Sequence, residues 1–458
     1  MAETARRTPR QTDKADQGTR TTPSAMESAT RDAAARDQGM RAQATRETGT
    51  RAMPRAGKAP LMGEVPVLEW ERRLRDVMAA GGLWTRDTRA PSYEELRPYG
   101  HRETSGFPVY KDLEERLLRA EDHPDPVIAH VLATCAGYAY SGAETLSMIM
   151  ARMGLADNNC RVIASTVDAM LICSTSFVIQ SNSGRVAILC YRGTEPMNFV
   201  NWLTDIDLEP ERMGYQFGDP CATVHAGFYR NVRTTRYEVM NALRDACNRR
   251  SVRVPLPNGL YGAEFPGMQN NLEALYITGH SLGGAMAAMM GVMMRHERKY
   301  REEFADRLKA VYTFGQPMIG DPSFAEACQR DDFLREKTIR YVHDSDIVPS
   351  LPPTTSGRFK HFGREFQYQV PHVRNGLMDL LGLLGCTYNP RKGHWVAKKS
   401  PTPQMPGVLG IALGAMSFIS RKFQATRSLP VMYSFEDHFP HHYISALTPY
   451  GVANEFGD

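Results

Sequence analysis

The chain has 458 residues, 42% of them hydrophobic and 23% charged, with a formal net charge of +4. That length holds one large domain or two ordinary ones around a substantial core. So small a whole-chain charge gives no electrostatic case for a nucleic-acid partner, and eight scattered cysteines without a C-x-x-C pair do not read as a disulfide or metal framework.

Residues 1–60 contain no Leu, Ile, Val, Phe, Tyr or Trp. With almost nothing to bury they are expected to form a disordered Arg/Ala/Thr-rich tail. Arginines at 31, 36, 41, 46 and 51 recur at a step that suits neither a helix face nor a strand. Seven acidic residues in the tail argue against a transit peptide, and no apolar core of a cleavable secretory signal follows the first basic residues. Several cysteines lie in apolar runs such as "LICSTSF" and "VAILCYRG", where a thiol acts as a small buried hydrophobe. Reduced thiols in a reducing compartment are therefore expected, with non-classical export as the alternative.

Residues 61–125 read as a helical extension with few strands. A strand–helix core is expected from 126 to 450. It opens on "PVIAHVLATCAGYAYSGAETLSMIMARMGL", patterned as one long helix rich in small residues. "TSFVIQS", an "NSG" turn and "RVAILCYRG" read as a hairpin. The helix "VRTTRYEVMNALRDACNRR" follows, then a loop at 254–271 rich in Pro, Gly and Asn. Strand "EALYITGH", helix "GAMAAMMGVMMRHERK" and strands "KAVYTFG" and "TIRYVHDS" complete the alternation. Such alternation predicts an α/β fold with a mainly parallel sheet and helices on both faces.

The segment Gly279-His280-Ser281-Leu282-Gly283 matches G-x-S-x-G and has a strand before it and a helix after it. A serine hydroxyl presented to a carbonyl must project from a sharp turn, and bulky flanking side chains would collide with the adjoining strand and helix. The helix amino terminus behind Ser281 offers backbone N–H groups to a developing oxyanion. A lone serine is a poor nucleophile and needs a base and an orienting acid. "YVHDSDIVPSLPP" supplies Asp344 and Asp346; "FEDHFPHHYISAL" supplies His438, His441 and His442. Ser281, acid, histidine is the chain order of an α/β-hydrolase.

These motifs resemble those of the class 3 lipases, the fungal-lipase-like branch of the α/β-hydrolases. "YRGTEPMNFVNWLTDI" is similar to that family's R-G-[ST] strand followed by N-W-x-x-D, and "VHAGFYR" to its V-H-x-G-F. "GHSLGGA" resembles its elbow, and "TFGQPMIGDPSFA" its T-F-G-x-P-R-V-G, with Met318 in place of the arginine. "DIVPSLPP" and "DHFPHHYISAL" resemble the acid loop and the D-H-x-x-x-x-Y-x-x-x-L segment. The resemblance runs over 126–366 and again over 431–447. It implies Ser281 as nucleophile, His438 as general base and then acid, and Asp346, ahead of Asp344, as the orienting carboxylate. It also implies oxyanion donors at Thr194 and at the backbone N–H of Leu282. His280 and His225 are expected to be structural, and His361 is a minor rival base. No metal or cofactor site is read from the sequence.

Between Asp346 and His438 lie 91 residues, more than the resemblance leads one to expect. This insertion, about 367–430, includes a 14-residue apolar run from Gly407 to Ser420, too short for a membrane span of about 20 residues. Over 355–435 eleven Lys and Arg stand against two acids. The run reads either as a buried core helix or as an element that meets anionic lipid. Met197, Phe199 and Val200 form a second candidate lid. The expected reaction is hydrolysis of a lipid carboxylic ester, of an acylglycerol or phospholipid, through an acyl-serine. A soluble short-chain or aromatic-acyl esterase, an acyltransferase and a non-enzymatic lipid- or partner-binding scaffold remain as alternatives.

Overall fold

The computed structural model describes residues 108–167, 172–194, 210–214, 217–253, 267–369, 393–407, 434–449 and 452. The tail at 1–60, most of the helical extension, the lid candidates Met197, Phe199 and Val200, and the apolar run beyond Gly407 lie outside the described residues.

Among the described residues three helices precede the sheet: α1 (Leu113–Arg119), α2 (Pro126–Tyr138) and α3 (Ala143–Met153). Asp125 caps α2, its carboxylate accepting from the N–H groups of Val127 and Ile128, while Pro126 occupies the first turn where no N–H is needed. The long helix expected here is two. A short 3-10 turn at Ala139–Ser141 and Gly142, at φ +93°, part α2 from α3 because an α-helix cannot pass through that backbone conformation. Leu113 and Leu117 of α1 are fully buried in the same apolar layer as α2, so the packed unit begins before the expected boundary at 126.

Eight strands make one sheet: β1 (Asn159–Val167), β2 (Ile172–Gln180), β3 (Val186–Tyr191), β6 (Ala274–His280), β7 (Leu308–Phe314), β8 (Thr338–His343), β9 (Arg364–Gln369) and β10 (His394–Lys398), neighbouring in that order. The pairs from β3 through β9 are parallel, and antiparallel pairs close both ends. Strands β4 (Pro210–Glu211) and β5 (Val224–His225) form a separate small ribbon. β1, β9 and β10 are not read from the sequence: β1 interleaves Asn, Arg, Ser and Thr with its apolar residues, β9 is mostly charged or polar, and β10 is short with no buried residue.

Strands β3 and β6 are buried at every position, as a parallel strand covered on both faces requires. One face packs on α4 (Ala226–Cys247) and α5 (Leu282–His296), the latter through an almost unbroken Ala/Met surface. The other packs on α1, α2, α3 and α9 (Pro440–Leu447), the last helix among the described residues. Between them in chain order come α6 (Arg298–Phe304), α7 (Pro322–Arg330) and α8 (Asp332–Lys337). The result is the α/β arrangement expected, a mainly parallel sheet with helices on both sides. Among the described residues no helix is long and apolar enough to cross a membrane.

Candidate active site

Parallel neighbours deliver their carboxyl ends to one edge of a sheet, which is where open α/β sheets present functional groups. Here Tyr191 at the end of β3 pairs with Gly279 near the end of β6, and Phe314 at the end of β7 pairs with Tyr341 of β8. Thr194, Ser281, Gly315 and Asp346 each follow one of those strand ends within three residues.

Ser281 turns the chain from β6 into α5 at φ +59° and ψ −129°, a backbone state that costs a non-glycine residue about 1–3 kcal/mol. The turn is held by Ser281 N–H donating to Phe314 C=O and by Ala285 N–H donating to Ser281 C=O. A side chain at Gly279 would meet the Gly283 carbonyl at 2.3 Å, and one at Gly283 would meet Tyr191 C=O at 2.2 Å. Both glycines are therefore required by backbone contact.

At this corner the Ser281 hydroxyl lies 2.8 Å from His438 Nε2, and His438 Nδ1 lies 2.9 Å from Asp346 Oδ2. A carboxylate only accepts, so Nδ1 carries the proton and Nε2 is left to accept from Ser281. All three side chains are buried. His438 sits in a short 3-10 turn, Glu436–His438, just before α9. The acid loop and the histidine loop are zipped together: Ser434 N–H donates to Ser345 C=O, and Ile347 N–H donates to Ser434 C=O.

The structure thus brings Ser281, His438 and Asp346 together, and not Asp344, His441 or His442. Asp344 takes the turn at φ +30°, where its carbonyl accepts from Gln367. The His441 and His442 rings lie 4.1 Å apart on the first turn of α9, and burial pushes the His441 imidazole below its ordinary range. His280 packs beneath the elbow. Its Nε2–H donates to His438 C=O at 2.6 Å, and its Nδ1 accepts from the Tyr140 hydroxyl at 3.0 Å. Burial, with His438 close by, holds His280 well below the usual histidine range and so neutral. His225 stacks on Phe228 with ring centroids 4.1 Å apart. His361 donates to Pro349 C=O at 2.7 Å, and burial beside Arg340 lowers it to about 3, the state of a strut rather than a base.

Sequence reasoning did not assign two members of this site. The Tyr443 hydroxyl accepts from His343 N–H at 3.0 Å and donates to Asp346 Oδ2 at 2.5 Å, so it holds the same carboxylate oxygen that His438 Nδ1–H meets. Asp346 Oδ1 accepts from Val348 N–H, which leaves neither oxygen bare. Gly315, at φ +60°, lies against the Asp346–His438 bond; a Cβ there would come within 2.8 Å of Asp346 Oδ2 and His438 Nδ1. Both residues stand in the quoted segments "TFGQP" and "DHFPHHY", but only the packing shows their purpose.

Thr194 is partly exposed three residues beyond β3, and Leu282 is buried as the first residue of α5, directly after Ser281. Met318, where the arginine was expected, is buried, and its N–H donates to Leu351 C=O. Two cavities among the described residues, of about 550 and 310 Å³, lie around α1 and the turn before β3, and neither is lined by Ser281. Among the described residues no three His, Cys, Asp or Glu side chains converge as a metal site.

A serine on a strand-to-helix elbow, linked to a histidine and a buried carboxylate at the carboxyl edge of a mainly parallel sheet, defines an α/β-hydrolase. Residues 188–356 match the family model described as lipase (class 3). Over that segment the chain is similar to the class 3 lipases, in their fungal-lipase-like branch. It is 27% identical over 215 residues to triacylglycerol lipase OBL1 of Ricinus communis, covering 42% of this chain and 40% of that protein. It is 29% identical over 213 residues to a lipase of Rhizopus niveus, covering 44% of each. The chain therefore spans less than half the length of these curated relatives. Among solved structures, lipase II from Rhizopus niveus aligns with a TM-score of 0.39 at 23% identity, over 53% of this chain and 80% of that one.

Proposed function

We propose that the protein hydrolyses carboxylic esters of lipids, acylglycerols first among them, through an acyl-serine intermediate. The observation that carries this reading is the unbroken hydrogen-bond chain from the Ser281 hydroxyl through His438 to Asp346. The matched relative from Ricinus communis is named as a triacylglycerol lipase, which favours an acylglycerol over a soluble ester.

In the first half-reaction the Ser281 oxygen attacks the ester carbonyl as His438 Nε2 takes its proton. Asp346 holds Nδ1–H and stabilises the imidazolium that forms. The oxyanion is received by the N–H groups of Leu282 and Thr194, with the Thr194 hydroxyl as a further donor; loss of one such donor typically costs about 10²–10³ in turnover. His438 then protonates the departing alkoxide. Water, activated by the same histidine, releases the acid and restores Ser281. The basic insertion is proposed as a contact for anionic lipid surfaces.

The test is labelling of the full chain with a fluorophosphonate, wild type beside Ser281→Ala, followed by turnover of fluorogenic esters of rising acyl length in the presence of lipid. Labelling and long-chain turnover should both vanish in the variant. Turnover confined to short or aromatic acyl groups would move the assignment to a soluble esterase. Transfer of the acyl group to an added alcohol, with little free acid, would make it an acyltransferase. A folded wild type that neither labels nor turns over ester would leave a binding scaffold.

A further inference from the structure

The insertion before His438 does not simply leave the domain. After β10 the chain folds back over the acid loop, and residues 402–405 take up groups of that loop that the sheet does not reach. Met405 N–H donates to Ser350 C=O, and Thr354 N–H donates to Met405 C=O. The Gln404 side chain closes the rest: its Nε2 donates to Pro352 C=O at 2.9 Å and Gly357 C=O at 2.8 Å, and its Oε1 accepts from Phe359 N–H at 3.0 Å.

Two anchors tie this segment to the site. Met405 is fully buried in a small apolar cluster with Ile347, Val348 and Leu351, and Phe435 packs against that cluster. The cluster therefore reaches from the residue after Asp346 to a residue three before His438. At the other end, Glu365 of β9 accepts from Thr402 through both its oxygens, from the hydroxyl at 2.7 Å and the N–H at 2.8 Å. Glu365 is itself ion-paired at 2.9 Å with Arg340, a pair with 1–2% side-chain exposure. Burial alone would raise the Glu365 carboxyl, but Arg340, His361 and Thr402 together hold it below its usual range. A buried charged pair moves little, because breaking it strands a charge.

We infer that Thr402, Gln404 and Met405 form a positioning strap that sets Asp346 against His438, so that part of the insertion is required for catalysis. The inference rests on the reading of Ser281, His438 and Asp346 as the catalytic chain. The strap touches no substrate. It acts through the acid loop, whose drift by even about 1 Å would cost on the order of a hundredfold in rate.

The test compares full-length wild type with Gln404→Met, Met405→Ala and Thr402→Val, with Thr402→Ser as the conservative rescue. Three readouts are taken: kcat and KM on a fluorogenic ester, the acid limb of the pH profile, and the downfield proton resonance of His438 Nδ1–H. Gln404→Met and Met405→Ala should lower kcat about ten- to a hundredfold at nearly constant KM. The acid limb should move, because the strap variants disturb the hydrogen bond between Asp346 and His438. The Nδ1–H resonance should weaken or shift, and Thr402→Ser should behave as wild type where Thr402→Val does not. Variants that unfold at lower temperature yet keep kcat, acid limb and resonance would overturn the strap and leave a structural tether. A wild type that shows no labelling or turnover, with a resonance that still responds to the strap variants, would overturn the catalytic reading and not the strap.

Discussion

Gly315 shows how narrow the tolerances at single residues are. The space its missing side chain leaves is occupied by the Asp346–His438 hydrogen bond, with 2.8 Å to each partner from where a Cβ would stand. Neither partner can retreat, because Asp346 is also held by Tyr443 and Val348, and the His438 carbonyl by His280. Gly315→Ala should therefore lower kcat by about a hundredfold, the scale of a small misplacement of catalytic groups. A steady-state comparison with circular dichroism as the fold control checks this. Near-normal turnover in a folded variant would mean that the site relaxes more readily than its packing implies. The neutral state of His280 belongs to the same scale: its ring lies 4.5 Å from that of His438 and its Nε2–H is given to the His438 carbonyl.

Helices and strands take their limits from backbone conformation as much as from apolar pattern. The pattern of 126–155 continues through the break between α2 and α3, yet Gly142 ends it. No atom lies within 4 Å of where its Cβ would be, so the position has room for a side chain but a φ of +93° that L-residues avoid. Gly142→Ala is expected to destabilise the fold by about 1 kcal/mol through strain alone. Denaturant unfolding should show a lower midpoint at an unchanged slope; an unchanged midpoint would mean that the α2–α3 joint relaxes without cost. The strands divide similarly. β3 and β6, mostly apolar and buried at every position, are legible in the sequence, whereas β9 and β10 are not. β9 carries Arg364 and Glu365, and Glu365 is inside only because Arg340 and Thr402 meet it there. Such pairing joins residues up to 37 positions apart, which no local pattern reports.

At the scale of the whole molecule, buried neutral histidines contribute to the response to acid. Burial lowers His361 to about 3, and burial together with Lys337 lowers His123 to about 4. Unfolded, both return to about 6.5, so below that pH the unfolded chain binds protons that the folded one refuses. Stability from these sites is complete above about pH 6.5 and is lost as pH falls toward 4 and then 3. Each proton taken up on unfolding contributes a slope of about 1.4 kcal/mol per pH unit. Thermal midpoints should fall from pH 7 to pH 4.5, and His361→Gln should flatten the fall by about one proton's worth. A variant with the wild-type slope would show that His361 is not one of the groups responsible.

The sequence by itself determined the chemistry on offer and the order in which it arrives. The strand–serine–helix elbow, the acid after a strand and the histidine near the carboxyl end are local, and local spacing encodes them. It also determined a doubly covered parallel sheet, since apolar strands alternate with helices. Tertiary structure decided what depends on through-space partners. It chose Asp346 and His438 from two acids and three neighbouring histidines, because only that pair meets across the joined loops at 345–347 and 434. It turned His280 and His361 into neutral struts by burial and a carbonyl partner each. It brought residues 402–405 back over the acid loop across about fifty residues of chain, a contact set by packing and backbone hydrogen bonds rather than by any motif.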